Sequence, residues 1–423
     1  MCEGDALPEP PDTDPPPQLN GVDFLIVVDN SGSMAEEQQM LASSLYNLMN
    51  QLSEQRGENT TLDIHLGVTT TDLGIAYGDT YYSDALVEKL FSNDRVKCYG
   101  RGDDGALRED YSNLGDEFIV PVSNLKIVCY EGKNNCYEDW ECMNIDASGK
   151  GVCVPRHSEF VVGCPPIHKY SLAPAYPGIL TPQNQVTKET NFPEFAATAA
   201  CLLQPEVNGC NYEQPLGAVL SALKKLNGSS LLRHDALTVI LLVTDEEDCS
   251  IENKAFFEVE ELGTTAANVA CGRHSKLLSN VNDLYAQIIG AKTAATGKDA
   301  MHTVMFAAIT GVPVASPCEG PGDQIGNCLK VRPQVNGNGT MGTPDEIERE
   351  VYASLTQTYY EYACTRQTDG EVVTKAYPAR RLVEMAQNFG KMGFVFSICN
   401  DDWTPLTQQL GAAILARVTP KSL

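Results

Sequence analysis

A cluster of oxygen-bearing side chains follows the apolar run 24–28 near the start of the chain. The run has the composition of a buried strand, and it continues directly into segment 29–33, which reads Asp-Asn-Ser-Gly-Ser. Asp29 offers a carboxylate and Ser31 and Ser33 offer hydroxyls, the hard oxygen donors that Mg²⁺, Ca²⁺ and Mn²⁺ take. In open α/β sheets, ligands bind beyond the carboxyl ends of the strands. The segment therefore predicts a divalent-cation site. The alternative is an ordinary strand-to-helix turn in which Ser31 or Ser33 caps the helix, since this sequence is compatible with both.

A second acidic loop follows the apolar run 236–243. It reads Thr-Asp-Glu-Glu-Asp over 244–248, so Asp245 would stand at the end of its strand as Asp29 does at the end of the first. A usable site needs oxygens from more than one loop, because one pentapeptide cannot surround an ion. Taken alone, 244–248 would be a solvated acidic run. The pair of Asp-containing loops at two strand ends is the more specific pattern.

Together, the two loops resemble the metal-ion-dependent adhesion site of von Willebrand factor A (VWA) domains, which combines a D-x-S-x-S loop with a T-D-G-E loop. The resemblance implies that Asp29, Ser31, Ser33 and Asp245 hold Mg²⁺, Ca²⁺ or Mn²⁺, with water in the remaining positions. Glu246 stands where Gly is common, and we expect this to alter the loop geometry more than the metal chemistry. In such sites a Glu or Asp carboxylate of a partner takes the exchangeable position on the ion.

The third ligand loop departs from the VWA pattern. These domains normally add a Thr from a loop in the middle of the chain, whereas the corresponding segment here, 208–217, contains no Thr. Glu213 is its stronger oxygen donor and is expected to complete the site, with Asn211 as the alternative. A third carboxylate would lower the net charge of the site, which favours Ca²⁺ or weakens the binding of an acidic ligand. The other interpretation is that Glu213 only caps the N-terminus of its helix.

Apolar runs recur along the chain with amphipathic helices between them, which is typical of a parallel sheet covered on both faces. The predicted strands are 22–28, 62–69, 236–243, 302–309 and 393–398. Apolar stripes at helical spacing predict packed helices. The stripes are Leu41, Leu45, Leu48 and Leu52; Leu277, Val281, Leu284 and Ile288; and Leu406, Leu410 and Ile414. The predicted fold class is α/β, a doubly wound, mostly parallel sheet of the VWA or Rossmann-like type, over residues 21–423.

Two stretches break this alternation and are predicted as disulfide-rich insertions. The first, 74–198, is turn-rich and holds six cysteines; a loop of this length is uncommon unless it carries function or a fold of its own. Within it, the cysteine spacing of 129–155 resembles small disulfide-stapled modules of the Dickkopf-like type. The second insertion, 311–376, holds three cysteines. Both insertions are expected near the rim of the sheet where the two acidic loops stand.

Charge and cysteine content restrict the class of protein further. A formal net charge of −26 argues against a nucleic-acid partner and against docking on anionic lipid, since both reward basic surfaces. Fifteen cysteines without zinc-ligand spacing favour disulfides formed in an oxidising compartment. Setting Cys2 apart leaves fourteen for seven bridges. Cys201 with Cys210 and Cys318 with Cys328 would close short loops.

The N-terminal segment 1–20 predicts a tether rather than a domain. It is acidic and rich in Pro, it carries no signal-peptide core, and Cys2 stands where a bacterial lipoprotein begins once its signal is removed. The expected location is the cell surface at the bacterial outer membrane, with a lipid on Cys2 as the contact to the membrane and a semi-extended stretch behind it. The alternative is an odd free cysteine on a disordered tail.

The residues favour binding over catalysis. The chain contains no H-E-x-x-H and no G-x-S-x-G motif, and oxidised cysteines are not nucleophiles. The whole pattern resembles secreted VWA lipoproteins of myxobacteria and their relatives, which include surface adhesins, one of them serving gliding motility. The resemblance implies an adhesin that captures a protein or surface ligand through a carboxylate on the metal. The competing hypothesis is a scaffold or assembly subunit of an envelope complex, which would dock its partner without metal.

Overall fold

The computed structural model describes the central α/β part of the chain and several shorter segments. The described residues are 19–54, 60–74, 102–109, 128–130, 140–143, 150–155, 171–173, 176–182, 192–205, 209–210, 212–253, 255–256, 270–272, 274–298, 300–325, 362–368, 371–418 and 421–422. Cys2 and most of the predicted tether lie outside these residues, as do Asn211 and Cys328.

Eight of the described strands form one sheet with a parallel centre. In chain order the strands are β1 (Gly21–Val28), β2 (Thr60–Thr61), β3 (Asp63–Thr70), β4 (Val128–Tyr130), β5 (Trp140–Met143), β6 (Lys150–Pro155), β7 (Ser171–Ala173), β8 (Tyr176–Leu180), β9 (Ala236–Val243), β10 (Val304–Thr310), β11 (Gly320–Pro321), β12 (Cys364–Thr368), β13 (Glu371–Ala376), β14 (Gly393–Ser397) and β15 (Lys421–Ser422). The order across the sheet is β11-β14-β10-β9-β1-β3-β8-β7. The pairs from β14 to β3 are parallel, and β11, β8 and β7 pair antiparallel at the two sides.

All five predicted strands are present, and their ends agree with the structure to within two residues. Every residue of β1 and β9 is buried. A strand buried along its whole length has no polar side, so it appears in the sequence as a continuous apolar run. This is the signal that located β1, β9 and β10.

Six α-helices of nine or more residues lie within the described residues. They are α1 (Ala35–Glu54), α2 (Phe192–Leu202), α3 (Pro215–Lys225), α4 (Val281–Thr296), α5 (Arg380–Asn388) and α6 (Thr404–Leu415). Helix α1 contacts α2 and α6, while α4 contacts α3 and α5. In addition, α3 contacts β1 and β3, and α5 contacts β10 and β14. None of the helices in the described ranges is long and apolar enough to cross a membrane.

One predicted helical stripe begins too early. The stripes in α1 and α6 are buried as expected, but Leu277 belongs to a 3₁₀ turn before α4 and is not buried. Helix α4 begins at Val281, because the side chain of Asn280 accepts hydrogen bonds from the N–H groups of Asn282 and Asp283. A helix begins at its N-cap, so Leu277 lies outside α4 even though its spacing from the other apolar residues is helical.

The segments predicted as insertions contribute to more than one sheet. Strands β4, β6 and β5 form a small antiparallel sheet across the predicted 129–155 module, with Cys142 opposite Cys153. From the same long segment, β7 and β8 join the side of the main sheet. Segment 311–376 supplies the short strand β11 and the hairpin of β12 and β13. The division of the chain into one domain with two insertions stays a prediction.

Disulfides link distant parts of the described chain. Cys249 is bonded to Cys271 and Cys364 to Cys399. Cys201, Cys210 and Cys318 are also disulfide-bonded. Oxidation of these cysteines agrees with the sequence analysis, whereas the pairings suggested there for Cys201 and Cys318 stay predictions.

Removal of the second bridge tests how much it stabilises the fold. Replacing both Cys364 and Cys399 with Ala is expected to lower the free energy of unfolding by about 3–4 kcal/mol, because the bridge restricts the unfolded chain. It spans a sequence separation of 35 residues. Urea unfolding followed by circular dichroism measures the loss. A midpoint equal to that of the unaltered protein would show that the bridge contributes nothing to stability.

Candidate metal site

The register of the sheet brings the predicted ligand loops to one edge. Val28, the last residue of β1, pairs with Thr70 at the end of β3 and with Val243 at the end of β9. Main-chain hydrogen bonds continue past the strands, from the N–H of Asp29 to the carbonyl of Val243 at 2.9 Å and from the N–H of Thr71 to the carbonyl of Val28 at 3.2 Å. The loops after β1, β3 and β9 therefore leave the sheet side by side.

The first loop is held in a single arrangement around Asp29. This side chain is buried; Oδ1 accepts the N–H of Ser31 at 2.7 Å, and Oδ2 accepts the hydroxyl of Thr244 at 2.6 Å. The side-chain amide of Gln38 donates to the carbonyl of Asp29 at 3.0 Å. The hydroxyl oxygens of Ser31 and Ser33 lie 3.2 Å apart, with Ser31 buried and Ser33 exposed. Three of the predicted ligands thus share one compact turn that opens to solvent at Ser33.

Asp245 lies against this turn from the second loop. Its side chain is buried, and the hydroxyl of Ser33 is close enough to lower the pKa of this carboxyl. Among the described residues, Oδ1 of Asp245 has no hydrogen-bond partner although it is buried. A buried oxygen of this kind is costly unless an ion or water satisfies it. The structure therefore joins Asp29, Ser31, Ser33 and Asp245 and leaves one carboxylate oxygen unsatisfied there.

Glu213 lies in the third loop, beside the end of β3. It is fully buried; Oε2 accepts the hydroxyl of Thr71, and Oε1 has no hydrogen-bond partner within the described residues. The hydroxyl-rich end of β3 thus holds the carboxylate of Glu213. Its main chain is fixed as well, since the carbonyl of Glu213 accepts the N–H of Cys249 at 2.8 Å.

The N-terminus of α3 takes its side-chain hydrogen bonds from another loop. The N–H of Leu216 donates to Oδ1 of Asp248 at 3.0 Å, and the N–H of Gly217 donates to the hydroxyl of Ser250 at 2.7 Å. The same carboxylate of Asp248 accepts the Nε–H of Arg381 at 2.9 Å. Asp248 thereby joins the start of α3 to α5.

The acidic run after β9 is not solvated. Asp245, Glu247 and Asp248 are buried, with exposed fractions of 3%, 2% and 0%. Both oxygens of Glu247 accept main-chain N–H groups at the start of α5, from Arg380 at 3.0 Å and from Arg381 at 3.1 Å. Sequence reasoning missed these roles because the partners of Glu247 lie 133 and 134 residues away along the chain.

A close approach between two main-chain segments places the third loop next to the first. The N–H of Gly209 donates to the carbonyl of Asn30 at 2.9 Å. A Cβ atom at Gly209 would lie 2.1 Å from Oδ1 of Asn30, so any other residue here would displace the side chain of Asn30. The next residue, Cys210, donates its N–H to the carboxylate of Asp72 at 3.2 Å.

The carboxyl groups at this edge resist ionisation in the absence of a cation. Burial raises the pKa of Asp29 to about 6, against hydrogen bonds from Thr244 and Ser31 that lower it. Burial also raises the pKa of Asp245 and the pKa of Glu213 well above their usual ranges, and the negative charge of Asp29 raises both further. Acids whose pKa values burial raises in this way cluster at functional sites.

The donor set fits a divalent cation of the hard class. Two carboxylates and two hydroxyls, from Asp29, Asp245, Ser31 and Ser33, leave room in a six-coordinate shell for water or an external ligand. Within the described ranges, no three Asp, Glu, His or Cys side chains form a group that could hold a metal ion. The donor set of Asp29, Asp245, Ser31 and Ser33 contains only two such side chains, so a group of three is not required for it. Glu213 as a further ligand stays a prediction.

Comparison with known proteins adds no family to this description. No protein-family model matches the chain, and a comparison with curated proteins finds no match. The interpretation of the site therefore rests on the residues at the sheet edge and on their geometry.

Proposed function

We propose that the protein is a metal-dependent cell-surface adhesin of the VWA type. The observation that carries the proposal is the buried Oδ1 of Asp245, which lacks a hydrogen-bond partner in the described chain and lies beside the turn of Asp29, Ser31 and Ser33. A bound Mg²⁺, Ca²⁺ or Mn²⁺ would supply the positive charge that these oxygens require. Glu213 or Asn211 would stand in place of the usual Thr.

The proposed architecture is the doubly wound sheet of a VWA domain with disulfide-rich insertions. The parallel order β3-β1-β9-β10-β14 supports it, because β1 lies in the middle and presents its carboxyl end between two neighbours. The two groups of helices support it as well: α1 packs with α2 and α6, and α4 with α3 and α5. In such a sheet the middle strand ends are where ligands bind.

The proposed partner is a protein or surface ligand that offers a carboxylate. The exposed Ser33 marks the side from which a ligand reaches the site. A chain with a net charge of −26 repels acidic groups over about 8–10 Å at physiological salt. A local divalent cation is the means by which such a surface attracts a carboxylate. Nucleic acid is not proposed as a partner, because its phosphates carry the same negative charge as this chain.

The proposed location is the outside of a bacterial outer membrane, with a lipid on Cys2 as the anchor. The disulfides support an oxidising compartment. Attachment to surfaces, including attachment during gliding, is the process in which such an anchored binding domain would serve.

Attachment to acidic peptides tests the proposed function. Beads carrying the protein are placed on immobilised peptides with a central Asp or Glu and on matched peptides with Asn or Gln. In Mg²⁺ we expect beads on the acidic peptides only, with at least a tenfold loss in EDTA or with Asp29→Ala. Asp401→Ala is the matched control, since Asp401 is acidic, exposed and follows β14 at the same edge.

Equal attachment of the beads to the acidic peptides in EDTA and in Mg²⁺ would contradict the proposal of metal-dependent adhesion. Stable co-purification with one envelope protein, insensitive to EDTA and to Asp29→Ala, would favour the scaffold instead.

A further inference from the structure

The hairpin of β12 and β13 contacts the first turn of α1, directly after the serine turn. Glu37 of α1 is buried beneath it, and Oε1 of Glu37 accepts the hydroxyl of Thr374 in β13. The guanidinium of Arg366 in β12 lies 3.4 Å from the same oxygen. The first turn of α1 is therefore bound to a segment more than 300 residues away in the sequence.

The contact is held in one geometry by Arg366. Its Nε–H and terminal N–H groups donate to the hydroxyl oxygen of Thr374 at 3.1 and 2.8 Å, so that this hydroxyl directs its own proton to Glu37. The side chain of Arg366 is 11% exposed, so the pair is largely withdrawn from water. The Cys364–Cys399 bridge ties β12 to the chain just after β14. The hairpin is thus fixed at its base and bound to α1 along its side.

The same hairpin also contacts the second ligand loop. Directly after β13, the N–H of Tyr377 donates to the carbonyl of Asp245 at 2.8 Å. On the other side, Gln38 follows Glu37 and donates its side-chain amide to the carbonyl of Asp29 at 3.0 Å. One structural element therefore connects the loops that carry Asp29 and Asp245.

We propose that Arg366 is a positioning residue of the metal site. Through Thr374 and Glu37 it holds the first turn of α1, and with it Ser31 and Ser33, in the position relative to Asp245 that a bound cation needs. This inference rests on the proposed function, because it names a residue that determines the metal affinity of that same site.

The direction in which metal affinity changes when Arg366 is replaced distinguishes a positioning role from a purely electrostatic one. Arg366 is a cation near a cation site, so its removal would tighten metal binding if only long-range charge mattered. A positioning role requires the opposite, because a displaced α1 separates the hydroxyls of Ser31 and Ser33 from the carboxylates. Residues that orient metal ligands typically change metal affinity by about 10- to 100-fold when they are replaced.

Mn²⁺ binding by the full chain, measured by electron paramagnetic resonance and calorimetry, tests the inference. Arg366→Met and Thr374→Val are expected to raise the Kd for Mn²⁺ about tenfold or more and to broaden the bound Mn²⁺ spectrum. Thr374→Ser keeps the hydroxyl and should restore the affinity to within about twofold of the unaltered protein. Lys375→Met removes the same charge from the exposed side of the hairpin and should not weaken binding. An Arg366→Met variant that is folded and binds Mn²⁺ as tightly as the unaltered protein overturns the inference.

Hydrogen exchange of the metal-free protein separates this inference from the proposed function. Deuterium uptake by the amides of residues 34–40 should rise in Arg366→Met and stay unchanged in Lys375→Met. If the unaltered protein binds no Mn²⁺, the proposed function fails, and the exchange data still show whether Arg366 holds α1. Uptake in Arg366→Met equal to that of the unaltered protein overturns the holding role itself.

Discussion

Replacing Asp245 with Asn is expected to raise the melting temperature of the metal-free protein and to abolish the stabilisation by Mg²⁺ or Ca²⁺. Without metal, the carboxylate is buried, has an oxygen without a hydrogen-bond partner among the described residues, and lies near the negative charge of Asp29. Burial raises the pKa of this carboxyl well above its usual range, so holding the group in the folded protein at neutral pH costs free energy whether it is charged or protonated; an amide of nearly equal volume avoids that cost, and the metal-free variant should gain about 1–3 kcal/mol.

The metal response should be lost in the same variant, because Asp245 supplies the carboxylate that lies against the serine turn. For the unaltered protein, a cation at one hundred times its Kd adds about 2.7 kcal/mol. Thermal unfolding in EDTA and in Mg²⁺ gives both quantities, with Asp401→Asn as an exposed acidic control. A variant that is less stable than the unaltered protein in EDTA, or that keeps the full response to Mg²⁺, would contradict the proposed site.

Arg233→Met should destabilise the protein by about 3–5 kcal/mol at pH 7.5, the usual cost of leaving a buried charge without its partner. Asp23 of β1 is fully buried, and its carboxylate accepts the main-chain N–H and the Nε–H of Arg233, both at 2.8 Å. The guanidinium also pairs with Asp63 at 2.7 Å. After the replacement, Lys292 remains as a cation near Asp23, with its Nζ 3.9 Å from the carboxylate.

The loss of stability in Arg233→Met should depend on pH, because burying an ionised Asp23 without its guanidinium partner costs more free energy. Burial already raises the pKa of Asp23 to about 6, although Arg233 and Lys292 lower it, and removal of Arg233 raises it further. An acid with a raised pKa stabilises the folded state most below its unfolded pKa of 3.8, and this contribution is lost as the pH rises through the folded pKa. In Arg233→Met the folded pKa of Asp23 is higher, so stability keeps falling with pH over a wider range than in the unaltered protein. The destabilisation should therefore be smaller at pH 5 than at pH 7.5.

Urea unfolding at these two pH values measures the effect. The double variant Asp23→Asn with Arg233→Met is the control, because it has no buried carboxylate next to Lys292, and its destabilisation should not increase from pH 5 to pH 7.5. If Arg233→Met were equally destabilised at both pH values, packing of the Arg233 side chain rather than its charge would be responsible.

Local patterns in the sequence were sufficient to place five strands of the sheet and the edge that carries the candidate site. A strand buried on both sides is apolar along most of its length, so β1, β9 and β10 are recognisable without any knowledge of their neighbours. Parallel strands present their carboxyl ends at one edge, and Asp29 and Asp245 each follow such an end. Their meeting also requires that β1 and β9 lie next to each other in the sheet, which the tertiary structure decided.

The tertiary structure decided what each acidic side chain contacts. Glu247 and Asp248 look like part of a solvated acidic run in the sequence, yet they bind the first turns of α5 and α3. Glu37 has no local signal at all, and its partners Arg366 and Thr374 come from the far end of the chain. The hydrogen-bonding capacity of a carboxylate is the same in every case. Its role depends on which backbone or cation the fold brings to it, and that is a long-range property that no short pattern of residues encodes.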